Sequence, residues 1–119
     1  MYEVTVSNHF TADHRLLCPG GGWETLHHHL WRVKATVRSR VVDEAGMAMD
    51  FRHLKAILGE LCGALDGRCL NEMPPFDVTP PSAENVARYL FHMIRNRTEN
   101  RARIHRVDVW ESEDCAAAY

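Results

Sequence analysis

Two stretches of the chain alternate hydrophobic and polar residues with a period of two, which is the pattern of a half-buried β-strand. In residues 2–14 the hydrophobic face comprises Tyr2, Val4, Val6, Phe10 and Ala12. In residues 27–42 it comprises Trp31, Val33, Ala35, Val37 and Val41, opposite Arg32, Lys34, Thr36, Arg38 and Arg40. Residues 16–26 contain a proline and three glycines and are predicted to form the loop between these strands.

Hydrophobic residues recur at helical spacing in two later segments. Asp50 is suited to cap the first helix, whose hydrophobic stripe comprises Phe51, Leu54, Ile57, Leu58, Leu61 and Leu65. Residues 66–81 contain four prolines, so this segment cannot continue the helix. Ser82 is suited to cap a second helix, whose stripe comprises Val86, Leu90, Met93 and Ile94.

The remaining segments predict further strands. Residues 103–111 alternate again, with His105, Val107 and Val109 on one face. "DEAG" (43–46) predicts a turn followed by a short strand at 47–49, and "CAAAY" (115–119) predicts a short last strand. Because strands and helices occur in blocks, we expect the α+β class, with an antiparallel sheet covered on one face by two helices.

The composition narrows the class of protein. A chain of 119 residues is expected to form one domain, residues 1–119. Its net charge of −2 argues against a nucleic-acid partner. We expect no secretory signal, and the sequence contains no hydrophobic run of the ~20 residues that cross a membrane and no CxxC pair among its four cysteines. We therefore expect a cytoplasmic protein with reduced thiols and no membrane partner.

Three histidines extend the hydrophobic faces of the two long strands. His27 and His29 share the parity of Trp31, and His14 shares the parity of Phe10, whereas His28 points to the other face. Buried imidazoles need hydrogen-bond partners or a cation. Three imidazole nitrogens would leave one open position on a tetrahedral Zn²⁺, as in catalytic sites, and hydrogen-bonded core histidines are the alternative that the spacing leaves open.

One acidic residue also continues a hydrophobic face. Glu111 shares the parity of Val107 and Val109. A carboxylate at the end of a buried strand face needs donors. An arginine would satisfy it, and so would a ligand that carries paired N–H groups.

Six motifs, in order along the chain, resemble those of the 6-pyruvoyl-tetrahydropterin synthase / 6-carboxy-tetrahydropterin synthase family. "FTADHRL" (10–16) resembles F-x-A-x-H-R-L, and "HHH" (27–29) stands in the place of H-G-H. "DEAGMAMDFRHLK" (43–55) resembles D-x-x-G-M-v-x-D-F-x-x-L-K, and "LDGRCLN" (65–71) resembles L-D-H-x-x-L-N. "PSAEN" (81–85) resembles P-T-x-E-N, and "WES" (110–112) resembles the motif whose Glu holds the pterin ring.

This resemblance implies a fold, a cofactor and a substrate class. The family has the tunnelling fold, a four-stranded antiparallel sheet with two helices on one face, and assembles as trimers or hexamers with active sites between subunits. His14, His27 and His29 map to the zinc ligands, and Glu111 maps to the pterin-binding carboxylate. The expected substrate is 7,8-dihydroneopterin triphosphate or a related pterin, and the expected activity is that of a zinc-dependent lyase acting on its side chain.

The sequence departs from the family at its catalytic positions. Trp23 stands where the family has a catalytic Cys, and Gly67 stands where it has a catalytic His, although Asp66 is retained. Glu24, three residues before His27, resembles the Glu of a branch that cleaves the side chain to 6-hydroxymethyl-dihydropterin. Candidate catalytic residues are therefore Glu24, Asp66 and Cys18. A paralogue that binds pterin and zinc without turnover, and a closed structural zinc site, are the rival interpretations.

Overall fold

The computed structural model describes residues 1–98 and 101–119, which form two helices and a five-stranded sheet. The strands are β1 (Tyr2–His14), β2 (His27–Ser39), β3 (Arg68–Cys69), β4 (Arg103–Ser112) and β5 (Cys115–Ala118). The helices are α1 (Phe51–Leu65) and α2 (Ala83–Arg95). The strand order is β3-β1-β2-β4-β5, and the predicted α+β class is confirmed.

Strands β1 and β2 pair antiparallel along their whole length, from Tyr2 opposite Ser39 to His14 opposite His27. The predicted alternation holds along most of both strands, because Val6, Phe10, Ala12 and the odd-numbered residues of 31–37 are buried. At the start of β1, Val4 is half-buried and Tyr2 is exposed. The rings of Phe10 and Trp31 stack at 5.8 Å between centroids beneath the two helices. The register therefore brings His14, at the end of β1, and the three histidines at 27–29, at the start of β2, to the same end of the sheet.

Both helices have the predicted caps. The Asp50 carboxylate accepts from the Arg52 N–H, and the Ser82 hydroxyl accepts from the Asn85 N–H. The buried faces comprise Leu54, Ile57, Leu58, Leu61 and Leu65 in α1 and Val86, Leu90 and Ile94 in α2. Full burial of each such side chain contributes about 1.5–3 kcal/mol to stability. Phe51, predicted to lie in the buried stripe, is exposed at the first turn of α1.

The segment after β2 differs from the prediction. Strand β2 ends at Ser39, so Val41 is exposed, and the short strand predicted at 47–49 is absent from the described structure. Asp43 explains this difference, because its carboxylate accepts from the N–H groups of Ala45 and Met47. These side-chain bonds replace the ladder that a returning strand would need.

The sheet is mixed rather than wholly antiparallel, and it has one strand more than the four expected. Two residues of β3 pair parallel with β1, Arg68 with Ala12 and Cys69 with Asp13. Gly67, with φ of +72°, turns the chain into this strand in the left-handed region that favours glycine. Its N–H donates to the Thr11 carbonyl at 2.7 Å and fixes the start of the pairing.

A bulge in β4 overturns the predicted parity of His105. The pairing of β4 with β2 passes from Arg106 opposite Thr36 to Ile104 opposite Val37, so His105 is an extra residue. Ile104 is consequently buried and His105 is exposed. None of the described helices has the length and hydropathy of a membrane-spanning segment.

Candidate metal and pterin site

Three imidazole rings and two carboxylates meet where the adjacent ends of β1, β2 and β4 come together. The centroid of the His14 ring lies 6.0 Å from that of His27 and 5.2 Å from that of His29, and the latter two lie 5.7 Å apart. The register explains this grouping, because His14 is opposite His27 and Ala12 is opposite His29. The predicted shared face of the three histidines is therefore observed.

His14 is the innermost member of the cluster and is fully buried. Its Nδ1 atom lies 2.8 Å from the Pro81 carbonyl oxygen. Because a carbonyl oxygen only accepts, Nδ1 carries the proton, and the lone pair of the neutral ring is on Nε2. Nε2 lies 2.7 Å from Oε1 of Glu111, a hydrogen-bond distance that requires a proton on one of the two atoms, and a metal ion would bind Nε2 in place of that proton. His14 therefore presents one defined nitrogen to the rest of the cluster.

His29 and Glu111 complete a compact set of donor atoms. Nε2 of His29 lies 3.2 Å from the same Glu111 oxygen, and the donor atoms of His14, His29 and Glu111 all lie within 4.8 Å of one another. Burial lowers the pKa of His29, an effect that the nearby Glu111 carboxylate opposes. A lowered pKa favours the neutral imidazole, which is the form that binds metals.

His27 lies beside this set and contacts the second carboxylate. Its Nε2 lies 3.4 Å from Oε1 of Glu24, and both side chains are partly exposed. Glu24 also holds the preceding loop, because Oε1 accepts from the Leu16 N–H at 2.9 Å and its own N–H donates to the Leu16 carbonyl at 3.0 Å. Among the described residues the tight donor set thus includes Glu111 rather than His27, and the three-histidine ligand set stays a prediction.

The donor set fits a zinc ion. Imidazole nitrogens and carboxylate oxygens are ligands that Zn²⁺ accepts, and a ligating histidine commonly donates its other N–H to a backbone carbonyl. The bond from His14 to Pro81 is such a contact. The exposed fractions rise from 0% at the His14 side chain to 26% at His29, 32% at Glu111 and 41% at His27, so one side of the cluster is open to a ligand.

Cys18 lies at the tip of a small hairpin in the loop before β2. Leu17 and Trp23 form an isolated bridge, and the backbone of Cys18 bonds to Gly22 and Gly21 at 2.8 and 3.0 Å. The thiol is exposed. Trp23 packs beneath the Arg15 guanidinium, which lies 4.9 Å from the ring centroid. The loop is therefore an ordered turn, and its Glu24 side chain contacts His27.

Asp66 has a structural partner instead of a place in the histidine cluster. Its carboxylate accepts from the N–H and the hydroxyl of Thr11, and these hydrogen bonds lower the pKa of Asp66. The role of Asp66 in proton transfer stays a prediction.

His28, predicted to point away from the other histidines, pairs with Asp13 at 2.6 Å on the exposed side of the sheet.

Sequence reasoning missed the contribution of Pro81. The motif at 81–85 was recognised, but nothing local in it signals that its first carbonyl binds a histidine 67 residues away. The pairing of Glu111 with His14 and His29 was missed for the same reason, although the parity of Glu111 marked it as unusual.

Comparisons with known proteins show what this chain is similar to. Residues 3–119 match the family described as 6-pyruvoyl tetrahydropterin synthase. A dihydroneopterin monophosphate aldolase of Pyrococcus furiosus is 28% identical over 77% of this chain and 75% of its own length. A protein of Archaeoglobus fulgidus, provisionally named a 6-carboxy-5,6,7,8-tetrahydropterin synthase, is 31% identical over 93% of this chain and 89% of its own.

The fold has a close counterpart among solved structures. The structure of Caenorhabditis elegans 6-pyruvoyl tetrahydropterin synthase superposes with a TM-score of 0.82 at 24% sequence identity, covering 100% of this chain and 96% of that one. The tunnelling fold implied by the sequence motifs is thereby confirmed.

Proposed function

The chain belongs to the 6-pyruvoyl tetrahydropterin synthase family, and from this membership and the site geometry we propose that it is a zinc-dependent lyase of dihydropterin side chains. The reaction that the geometry supports best is retro-aldol cleavage with Glu24 as the base. The observation that carries this choice is the 3.4 Å separation of the Glu24 carboxylate from Nε2 of His27. The name of the P. furiosus relative, an aldolase, points to the same chemistry.

His14, His27 and His29 would hold the zinc ion, with Glu111 beside them. When bound, zinc supplies Lewis-acid chemistry that makes the side-chain hydroxyls of the substrate more acidic. The protein contributes an inner wall that excludes water, because His14 is fully buried and Trp31 packs against its ring at 4.8 Å. The partly exposed side, at His27 and Glu111, is the side from which substrate would enter.

Glu111 would orient the pterin ring. A carboxylate has two oxygens that accept in one plane, which matches the paired N–H donors of the pyrimidine edge. Its side chain is 32% exposed, and a metal ion on the imidazole nitrogens would release Oε1 from His14 and His29, so that both oxygens could accept from the pterin. We therefore assign Glu111 to substrate binding rather than to the metal.

Glu24 would act as the general base that removes a proton from the pterin side chain. Its carboxylate takes the proton from the hydroxyl on the second carbon of the side chain, and that carbon becomes an aldehyde as its bond to the first carbon breaks. The electron pair of the broken bond passes into the conjugated pterin ring. Protonation of the first carbon then gives a hydroxymethyl pterin and returns the base to its starting form. The bond from the Leu16 N–H fixes the carboxylate for this task.

A second reaction is favoured by the similarity to the A. fulgidus protein, which spans 93% of this chain. In that case the substrate would be the triphosphate, and the product would be a 6-carboxy-tetrahydropterin. The usual Cys and His of the family are replaced by Trp23 and Gly67, so this reaction would need a different proton carrier.

We propose that the chain assembles as a trimer or a hexamer. Among the described residues, β3 and β5 have no paired strand on their outer side, and edge pairing between copies would close three sheets into a barrel. Sedimentation equilibrium of the purified protein tests this assembly. A monomer at all concentrations would contradict it.

Product analysis tests the proposed reaction. The zinc-loaded protein is incubated separately with dihydroneopterin, its monophosphate and its triphosphate, and the products are identified by mass spectrometry. A hydroxymethyl-dihydropterin with a two-carbon aldehyde or its phosphate is the expected result. A carboxy-pterin with acetaldehyde would establish the second reaction instead, and tight pterin binding without product would show a non-catalytic paralogue.

A further inference from the structure

We propose that Asn85, in the first turn of α2, is a positioning residue that sets the orientation of the His14 ring through the Pro80–Pro81 segment. The inference rests on the proposed zinc site, because His14 is one of its expected ligands. The juxtaposition that carries it is a short chain of hydrogen bonds from the Asn85 amide to the Pro80 carbonyl, and from the neighbouring Pro81 carbonyl to Nδ1 of His14.

The first step concerns the tautomer of His14. The bond from Nδ1–H to the Pro81 oxygen, at 2.8 Å, leaves Nε2 as the ring nitrogen that can bind a metal, and Nε2 faces Glu111 and lies in the donor cluster with His29. If the Pro81 carbonyl moved away, the buried ring would have an unpaired donor or would adopt the other tautomer. The position of this one oxygen therefore determines which nitrogen can bind metal.

The second step concerns what holds the Pro81 carbonyl in place. Pro80 and Pro81 have no backbone N–H, so neither can anchor the segment by donating a hydrogen bond. The segment is held through the Pro80 carbonyl, which accepts from the Ser82 N–H at 2.9 Å and from Nδ2 of Asn85 at 2.9 Å. Asn85 thus ties the two prolines to a helix that is packed into the core.

The third step separates positioning from helix stability. The Ser82 hydroxyl already accepts from the Asn85 N–H, so the Asn85 side chain is not needed to cap α2. Asn85→Asp keeps the size of the side chain and places a negative charge near the helix N-terminus, where it is favourable. It removes the donor, however, and sets a carboxylate oxygen against the Pro80 carbonyl. The substitution should therefore disturb the prolines without weakening the helix.

Asn96→Asp is the matched control. Asn96 is the C-cap of α2, where the same substitution adds the same charge at the unfavourable end of the helix. We expect it to lower the melting temperature and to leave zinc affinity unchanged. Asn85→Asp should leave the melting temperature unchanged or higher and reduce zinc affinity about 10-fold, the lower end of the range for partners of ligating histidines, because Asn85 acts on His14 only through the prolines.

The experiment measures zinc affinity by competition with a chelator, the visible spectrum of the cobalt-substituted protein, and thermal unfolding of the metal-free protein. The expected result for Asn85→Asp is weaker zinc binding and an altered cobalt spectrum at an unchanged or higher melting temperature. Zinc affinity and a cobalt spectrum equal to those of the wild type would overturn the positioning role. Failure of the wild-type protein itself to bind zinc would instead overturn the proposed function.

Discussion

The carboxylate of Asp66 accepts two hydrogen bonds from Thr11, one from the backbone N–H at 2.8 Å and one from the hydroxyl at 3.1 Å. These bonds connect the C-terminal end of α1 to β1, next to the point where β3 begins to pair. Asp66 therefore has a structural task that its place in a family motif did not reveal.

The first prediction concerns this contact and its dependence on pH. Asp66→Ala should lower the stability of the protein, because the Thr11 N–H and hydroxyl lose their acceptor. The hydrogen bonds from Thr11 hold the pKa of Asp66 below its ordinary value of about 3.9. A lowered folded-state pKa means that the stabilisation is complete above that value and is lost as the pH falls through the folded pKa.

Urea unfolding at several pH values measures this effect. The difference in unfolding free energy between wild type and Asp66→Ala should be constant above about pH 5 and should shrink below about pH 4. Asp77→Ala, at an exposed position in the loop before α2, is the control and should change stability by less than about 0.5 kcal/mol. Unchanged stability of Asp66→Ala with a loss of turnover would instead indicate a catalytic role alone.

The second prediction concerns the base. Glu24→Gln should lower kcat about 10²- to 10⁴-fold, because an amide cannot take the proton from the substrate hydroxyl. Zinc content and pterin affinity should remain close to those of the wild type, since Glu24 is assigned to neither task. Steady-state kinetics with metal analysis of the same preparation makes the comparison.

Two further variants delimit this result. Glu44→Gln, in the exposed turn after β2, controls for the loss of one carboxylate and should leave kcat unchanged. Cys18→Ala tests the alternative base at the tip of the hairpin. If Cys18→Ala abolishes turnover while Glu24→Gln does not, the assignment of Glu24 is wrong.

The third prediction concerns the metal. Substitution of His14, His27 or His29 by Ala should reduce zinc affinity more than about 100-fold in each case. This effect is larger than that of losing a residue that only hydrogen-bonds to a metal ligand. His28→Ala is the matched control, because this ring pairs with Asp13 on the exposed side of the sheet. Zinc binding is measured by chelator competition. Wild-type affinity in His27→Ala would contradict the three-histidine set and favour Glu111 as the third ligand.

Zinc should also stabilise the folded chain by mass action. A free zinc concentration of about 1,000 times Kd should raise the unfolding free energy by about 4 kcal/mol, because unfolding separates the ligands. The measurement is thermal unfolding with and without a chelator. Equal melting temperatures for wild type with and without zinc would contradict the site.

The fourth prediction concerns Glu111. Glu111→Gln should weaken pterin binding by about 1–3 kcal/mol, or about 5- to 150-fold in Kd, because the amide puts a donor opposite one of the pterin N–H groups. Zinc should stay bound with nearly unchanged affinity. Fluorescence titration with a pterin and metal analysis give the two readouts, and loss of zinc with this substitution would show that Glu111 is a metal ligand.

Much of the fold follows from local patterns. The alternation in β1 and β2 predicted both strands, and it also predicted that His14, His27 and His29 would share a face while His28 would not. This works because a period of two depends on the backbone geometry of the strand itself. The caps at Asp50 and Ser82 were predictable for the same reason, since a cap is a contact within one turn.

The sequence predictions failed where hydrogen bonding in the folded chain outweighed the alternation of hydrophobic and polar residues. The bulge at His105 depends on how β4 pairs with β2. The loop at Asp43 depends on the Asp43 carboxylate, which accepts hydrogen bonds from the backbone N–H groups of Ala45 and Met47. Neither event alters the hydrophobic pattern in its own segment. The sequence therefore predicted a strand parity at His105 and a strand at 47–49 that the pairing and the side chain overrule.

By itself the sequence determined which segments form the sheet and the helices, and which histidines face the core. The tertiary structure alone decided that Pro81 orients His14 from 67 residues away and that Glu111 meets the same ring from 97 residues away. Such contacts have no local signature, because they depend on where packing places distant backbone and side-chain atoms. The chemistry of the site is therefore encoded by residue types along the chain, and its geometry is set by the packed core.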